Sequence, residues 1–220
     1  MASFFNLVLD TTAPAGLTLK LNNGAAYATS TAVTATIGLT DSVTTGYQMK
    51  IWGVAGAATE AEAAWATFVK SKAITLTTGD GQKTVSIKVR DDVGNETATV
   101  TAKITLDTAV PVVTITGPDK SKISKVATFN VSAFSFSANA DFEEYKIKVV
   151  PSESSLENAG TQIPVTAGST NTSGTAGGYK ADTAINVTIN GADLETASAG
   201  DGVKIIKVFV KNAAGTWSVA

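Results

Sequence analysis

One stretch of this chain is written twice. Residues 79–95 read GDGQKTVSIKVRDDVGN and residues 200–216 read GDGVKIIKVFVKNAAGT. The Gly-Asp-Gly turn, Lys83 with Lys204, and apolar residues at alternate positions coincide at one offset, 121 from Gly79 to Gly200. Two further matches sit closer: YQMKIW from Tyr47 with YKIKVV from Tyr145, an offset of 98, and Pro14 with Pro111, an offset of 97. A chain that repeats itself over half its length is two copies of one supersecondary unit. The growth of the offset places an insertion in the second copy between Tyr145 and Gly200. Residues 166–180, TAGSTNTSGTAGGYK, fit that role, being too polar and Gly-rich to join a core.

The repeated unit reads as strands. Leu17, Leu19 and Leu21 alternate with Thr18 and Lys20, Val33, Ala35, Ile37 and Leu39 with Thr34, Thr36 and Gly38, and Val85, Ile87 and Val89 with Ser86 and Lys88. Period two means one buried and one wet face. Turn clusters such as NNG, GDG and VGN punctuate these runs at short intervals, as in an antiparallel sandwich. Residues 58–68, ATEAEAAWATF, are the one helical candidate. Trp52, Trp65, Tyr47 and Tyr145 are expected in the cores.

Composition excludes several functions. Net charge is −2, so no basic field would hold a phosphate backbone, and nucleic acid is not expected as a partner. With no Cys and no His, disulfides, thiol nucleophiles, imidazole bases and most transition-metal sites are unavailable. The acidic pairs Glu60 with Glu62, Asp91 with Asp92, and Glu143 with Glu144 read as surface; no catalytic, cofactor or metal residue is expected. Residues 91–96, DDVGNE, are the best calcium candidate, but the second copy has Ala213 for Asp92 and Trp217 for Glu96, and a hairpin turn is the better reading. No stretch approaches the roughly 20 apolar residues of a membrane helix, and no signal peptide is evident. Sequons at Asn95, Asn130, Asn171 and Asn186 therefore read as chance.

The first copy runs DTTAP, an apolar strand, Y-x-M-x-I-W-G, a Trp a dozen residues on, then GDG-x-K-T-V-x-I-x-V-R-D-x-x-G-N. This order resembles the bacterial immunoglobulin-like domains of phage structural and bacterial surface proteins. The second copy keeps Tyr145, the turn from Gly200 to Gly202, and Gly215, but lacks the Trp52-Gly53 pair and has Asn212 for Asp91. The expected fold is all-β: two tandem immunoglobulin-like antiparallel β-sandwiches, residues 13–108 and 109–220, with an extra N-terminal strand in an arm of residues 1–12.

That arm is a strand out of place. FFNLVLDTTAP aligns with TAKITLDTAVP at the end of the first copy, Phe4 matching Thr101, Leu7 matching Ile104 and Leu9 matching Leu106. The second copy, carried forward by 121 residues, would need its own last strand beyond Ala220. A strand with Phe4, Phe5, Leu7 and Leu9 and a sheet with an open edge fit each other, as in donor-strand complementation. Three readings stand: pairing with its own first domain, donation to another copy, or pairing with a different structural protein. Phe209, out of phase beside Val208 and Val210, and Trp217 and Val219 near the open edge, are further interface candidates.

The resemblance, with no signal peptide, implies a non-enzymatic virion structural protein, a capsid decoration or tail-associated part assembled in the host cytoplasm through edge-strand contacts. Its partners would be other virion proteins or copies of itself. The alternative is an adhesin-like module that binds a host-surface glycan or protein through residues 166–180.

Overall fold

A computed structural model of the chain describes residues 5–125, 131–163 and 178–219. The chain divides into two compact units, Met1–Thr108 and Ala109–Ala220. The first runs through β1 (Thr18–Leu21), β2 (Tyr27–Ala28), β3 (Ala32–Gly38), β4 (Gln48–Trp52), β5 (Ala66–Thr67), β6 (Ser71–Thr75), β7 (Gly81–Arg90) and β8 (Val100–Leu106). These make two sheets, β1-β3-β6 and β2-β8-β7-β4-β5, antiparallel except for the short β2–β8 pairing. Val33, Ala35 and Ile37 from β3 meet Val85, Ile87 and Val89 from β7 and Ile104 and Leu106 from β8 in one core. Alternation thus turns one face of each sheet toward the other, which is a β-sandwich.

The second unit has β9 (Val113–Thr116), β10 (Val131–Ala138), β11 (Glu144–Val150), β12 (Thr161–Gln162), β13 (Ile185–Asn190), the helix α1 (Gly191–Ala197) and β14 (Ile205–Lys211). Its sheets are β9-β10-β13 and β12-β11-β14, all antiparallel. Its core is aromatic: Tyr145 meets Phe136 edge-on at 5.1 Å between ring centres, and Tyr179 stacks on Phe142 at 4.9 Å. The fold is all-β, with two sandwiches in tandem.

The repeat holds atom by atom at the turn after β7 and β14. Val89 N–H donates to Thr97 Oγ1 at 3.1 Å, and Val210 N–H to Ser218 Oγ at 3.2 Å. Bridges join Arg90 to Glu96 and Lys211 to Trp217. All four pairs of equivalent positions, Val89 with Val210, Thr97 with Ser218, Arg90 with Lys211 and Glu96 with Trp217, are 121 residues apart.

Three expectations are corrected. Residues 58–68 form no helix: Ala58 and Thr59 N–H both donate to Glu62 Oε2, at 2.7 and 3.1 Å, closing a turn. The chain then extends so that Ala66 and Thr67 pair with β4 and Phe68 N–H reaches Tyr47 O at 3.0 Å. The edge of β4 takes these residues, and only one turn remains for the Ala- and Glu-rich stretch. Trp52 and Trp65 are half-buried rather than core. Met49 and Ile51 occupy the inner face of β4, so Trp52 goes outward, while Trp65 lies under Arg90 and Lys50, at 4.4 and 5.0 Å from its ring centre. Last, residues 5–12 form no strand with their own chain, and Phe5, Leu7, Val8 and Leu9 are each at least 85% exposed. The place on β7 that suits their sequence is already held by β8.

Candidate functional site

β7 lies between β4 and β8, whereas β14 has β11 on one side and, among the described residues, no strand on the other. Val210 shows which backbone groups face that open side, since its carbonyl accepts the Ser218 N–H at 2.8 Å and its own N–H goes to Ser218. Residues two apart along a strand point their backbone groups the same way. Val208 and Ile206 therefore present N–H and C=O groups to the open edge. Their counterparts in the first unit, Ile87 and Val85, face Val100 and Ala102 of β8.

Beside this edge, among the described residues, the core of the second unit is open. A groove of about 690 Å³ is lined by Ile115, Phe134, Ile189, Leu194, Val203 and Ile206, next to Gly202 and Lys204. Ile115 stands opposite Phe136 and so on the core face of its sheet, yet is 44% exposed. Ile206 is half-buried, while its counterpart Val85 is fully buried. In the first unit this space is closed by Ile104 and Leu106, which lie opposite Lys83 and Gly81. Those two positions correspond to Lys204 and Gly202. Sequence reasoning missed the groove, because its lining comes from both sheets and the partners of Ile104 and Leu106 are fixed only by the strand register.

The interface candidates from the sequence do not gather. Phe5, Leu7 and Leu9 are exposed in the arm, and Phe4 lies outside the described residues. Phe209 is corrected: it is 1% exposed. It stands opposite Lys146 on the outer face of its sheet, and the loop of residues 151–160 covers that face. Lys207 Nζ donates to Glu153 O at 2.7 Å and Ser155 O at 2.8 Å, Lys148 Nζ donates to Glu157 O at 2.6 Å, and Lys146 pairs with the Glu157 carboxylate. Trp217 is half-buried under Lys146 and Lys211, at 4.5 and 5.3 Å. Val219 is 61% exposed. Of residues 166–180, only 178–180 are described; Tyr179 joins the core and Lys180 pairs with Asp141 at 2.8 Å.

Several acidic side chains are engaged in structure. Asp91 Oδ1 accepts the N–H groups of Val93, Gly94 and Asn95 at 3.0, 2.7 and 2.8 Å, and Oδ2 accepts Asn95 Nδ2 at 2.8 Å. Burial pushes this carboxyl up, but those hydrogen bonds outweigh it and hold it below the usual carboxylate range. The calcium candidate is thus a hairpin turn closed by its own donors. Glu60 pairs with Lys88 at 2.9 Å and Lys50 at 3.5 Å, and the Lys88 hydrogen bond lowers its carboxyl. Among the described residues, no three acidic groups gather in a metal-holding cluster.

The fold and the open edge define a tandem β-sandwich protein. No family model matches the chain, and no curated protein does. Among solved structures it is similar to the chitinase ChiA74 from Bacillus thuringiensis, at 13% identity, over 92% of this chain and 30% of that one, with a TM-score of 0.31. The chain thus spans less than a third of that protein's length.

Proposed function

We propose that this chain is a non-enzymatic structural module that joins a larger assembly by strand pairing at the open edge of β14. The observation that carries the reading is the difference between two equivalent strands: among the described residues, β7 has neighbours on both sides and β14 on one. An edge that presents unpaired backbone groups beside an uncovered core is a template for another strand. The setting follows from the resemblance to immunoglobulin-like domains of phage structural proteins: a virion component, capsid decoration or tail-associated. Engagement of Asp91, Glu60 and Asp141 in turns and ion pairs is in keeping with a non-catalytic role.

Lys204→Pro tests the edge. By the same alternation, the residue 204 N–H faces the open side, so proline removes one edge donor and leaves the pairing with β11 intact. Sedimentation velocity of the 220-residue chain is expected to show association that grows with concentration and is lost in Lys204→Pro. A chain that stays monomeric at high concentration, or associates equally with and without the substitution, overturns the reading.

A further inference from the structure

Resting on that reading, the geometry names the occupant of the edge. We propose that residues 5–9 of a second copy of this chain insert as a strand antiparallel to β14, with Leu9 opposite Gly202, Leu7 opposite Lys204 and Phe5 opposite Ile206, their side chains filling the apolar groove.

Three observations converge on this register. First, the arm repeats β8 at an offset of 97, Leu9 for Leu106, Leu7 for Ile104 and Phe5 for Ala102, and β14 repeats β7 at 121. The β7–β8 ladder pairs Leu106 with Gly81, Ile104 with Lys83 and Ala102 with Val85; transferring both offsets yields the stated pairs without adjustment. Second, the groove lies where Ile104 and Leu106 are buried in the first unit, and the arm brings a residue larger than Ala102 to a space whose walls, Ile115 and Ile206, are still exposed or half-buried. Third, the end of the ladder has a matching clasp. Asp80 Oδ1 accepts the Thr108 N–H at 3.0 Å and the Thr108 hydroxyl at 2.8 Å just past β8. The same offsets pair Asp201 with Thr11, and Asp201 is exposed in the single chain. The apolar side chains of the arm and the apolar groove are thus two exposed surfaces that cover one another.

The test uses the full chain and a peptide of residues 3–12, SFFNLVLDTT. Leu7→Asp with Leu9→Asp alters residues that touch no core, so both units are expected to keep their fold by circular dichroism. Association should weaken roughly a hundredfold or more, since each buried Leu is worth about tenfold or more in affinity. Excess peptide should dissociate the wild-type assembly and slow amide exchange at Ile206 and Val208, whereas a scrambled peptide should not. Association that survives Leu7→Asp/Leu9→Asp but is lost in Lys204→Pro overturns this occupant and leaves the edge reading standing. Association indifferent to all three substitutions, or none in the wild type, overturns both. Protection of Ile206 and Val208 in a chain that is monomeric at every concentration overturns donation between copies.

Discussion

At the turn that follows β7 and β14, one position does the same work with two different side chains. Asp91 and Asn212 each accept turn N–H groups through Oδ1, Asn212 from Thr216 at 2.8 Å. Their second atoms differ: Asp91 Oδ2 accepts from Asn95, whereas Asn212 Nδ2 donates to Ala109 O at 3.2 Å. Asp91→Asn should therefore set two NH₂ groups against each other and cost about 1 kcal/mol, while adding Asn95→Thr, the second unit's own combination, should recover much of that; Asp91→Ala should cost about 1–3 kcal/mol. Thermal melts of the single and double variants check this. Asp80 and Asp91 also set a pH dependence. Asp80 is lowered by its backbone and then its hydroxyl bond from Thr108. A carboxyl depressed in the fold contributes stability that is complete above its unfolded value, near pH 4, and lost as pH falls through the folded value. The first unit should thus lose melting temperature between about pH 4 and pH 2, with a flatter acid limb in Asp80→Asn; no loss over that interval would contradict the assignment. The turn was legible from its spacing alone. The burial of Phe209 was not, because alternation says which face a residue takes but not whether that face is wet. Trp52 was misplaced against alternation itself, since Ile51 already claimed the inner face.

Strands were readable where period two met a turn, as at β3, β7 and β14, whose inner residues are those the pattern marks. Helices were not. Local preference pointed to residues 58–68, but pairing of Ala66 and Thr67 with β4 took the end of that segment into the sheet. Among the described residues, the one α-helix is α1, begun by Asn190, whose Oδ1 accepts the Ala192 N–H at 2.8 Å. Asn-Gly reads equally as a turn, and seven residues leave no period to recognise. Gly53 shows how closely the end of β4 approaches β7 in the first unit. Its φ is +79°, and a Cβ there would lie 2.1 Å from Thr84 O on β7. Gly53→Ala should destabilise the first unit by about 2 kcal/mol or more, through both the left-handed backbone and the forced separation of β4 from β7. Calorimetry checks this. Because the two cores share no residue, exchange at β11 and β14 should be unchanged in that variant.

For the whole molecule, the candidate site was half legible. Matching the arm to β8 and noticing an open edge needed only the repeat, but the groove required knowing that Ile115 and Ile206, in strands of two different sheets some ninety residues apart, line one space. A contact in which one copy gives a strand and the next receives it is heterologous, so it closes into a ring or continues as an open string. The arm that would make such growth possible is exposed along residues 5–12, which is what a protease requires. None of the residues that build either core lies within 5–12. A chain left unassembled in a cell is thus open to trimming at a site that leaves its body folded, and the trimmed product would take a strand but give none. Such clipped chains would occupy one end of a growing string and stop it there, so the age of the subunit pool, as well as its concentration, would set how long the strings become.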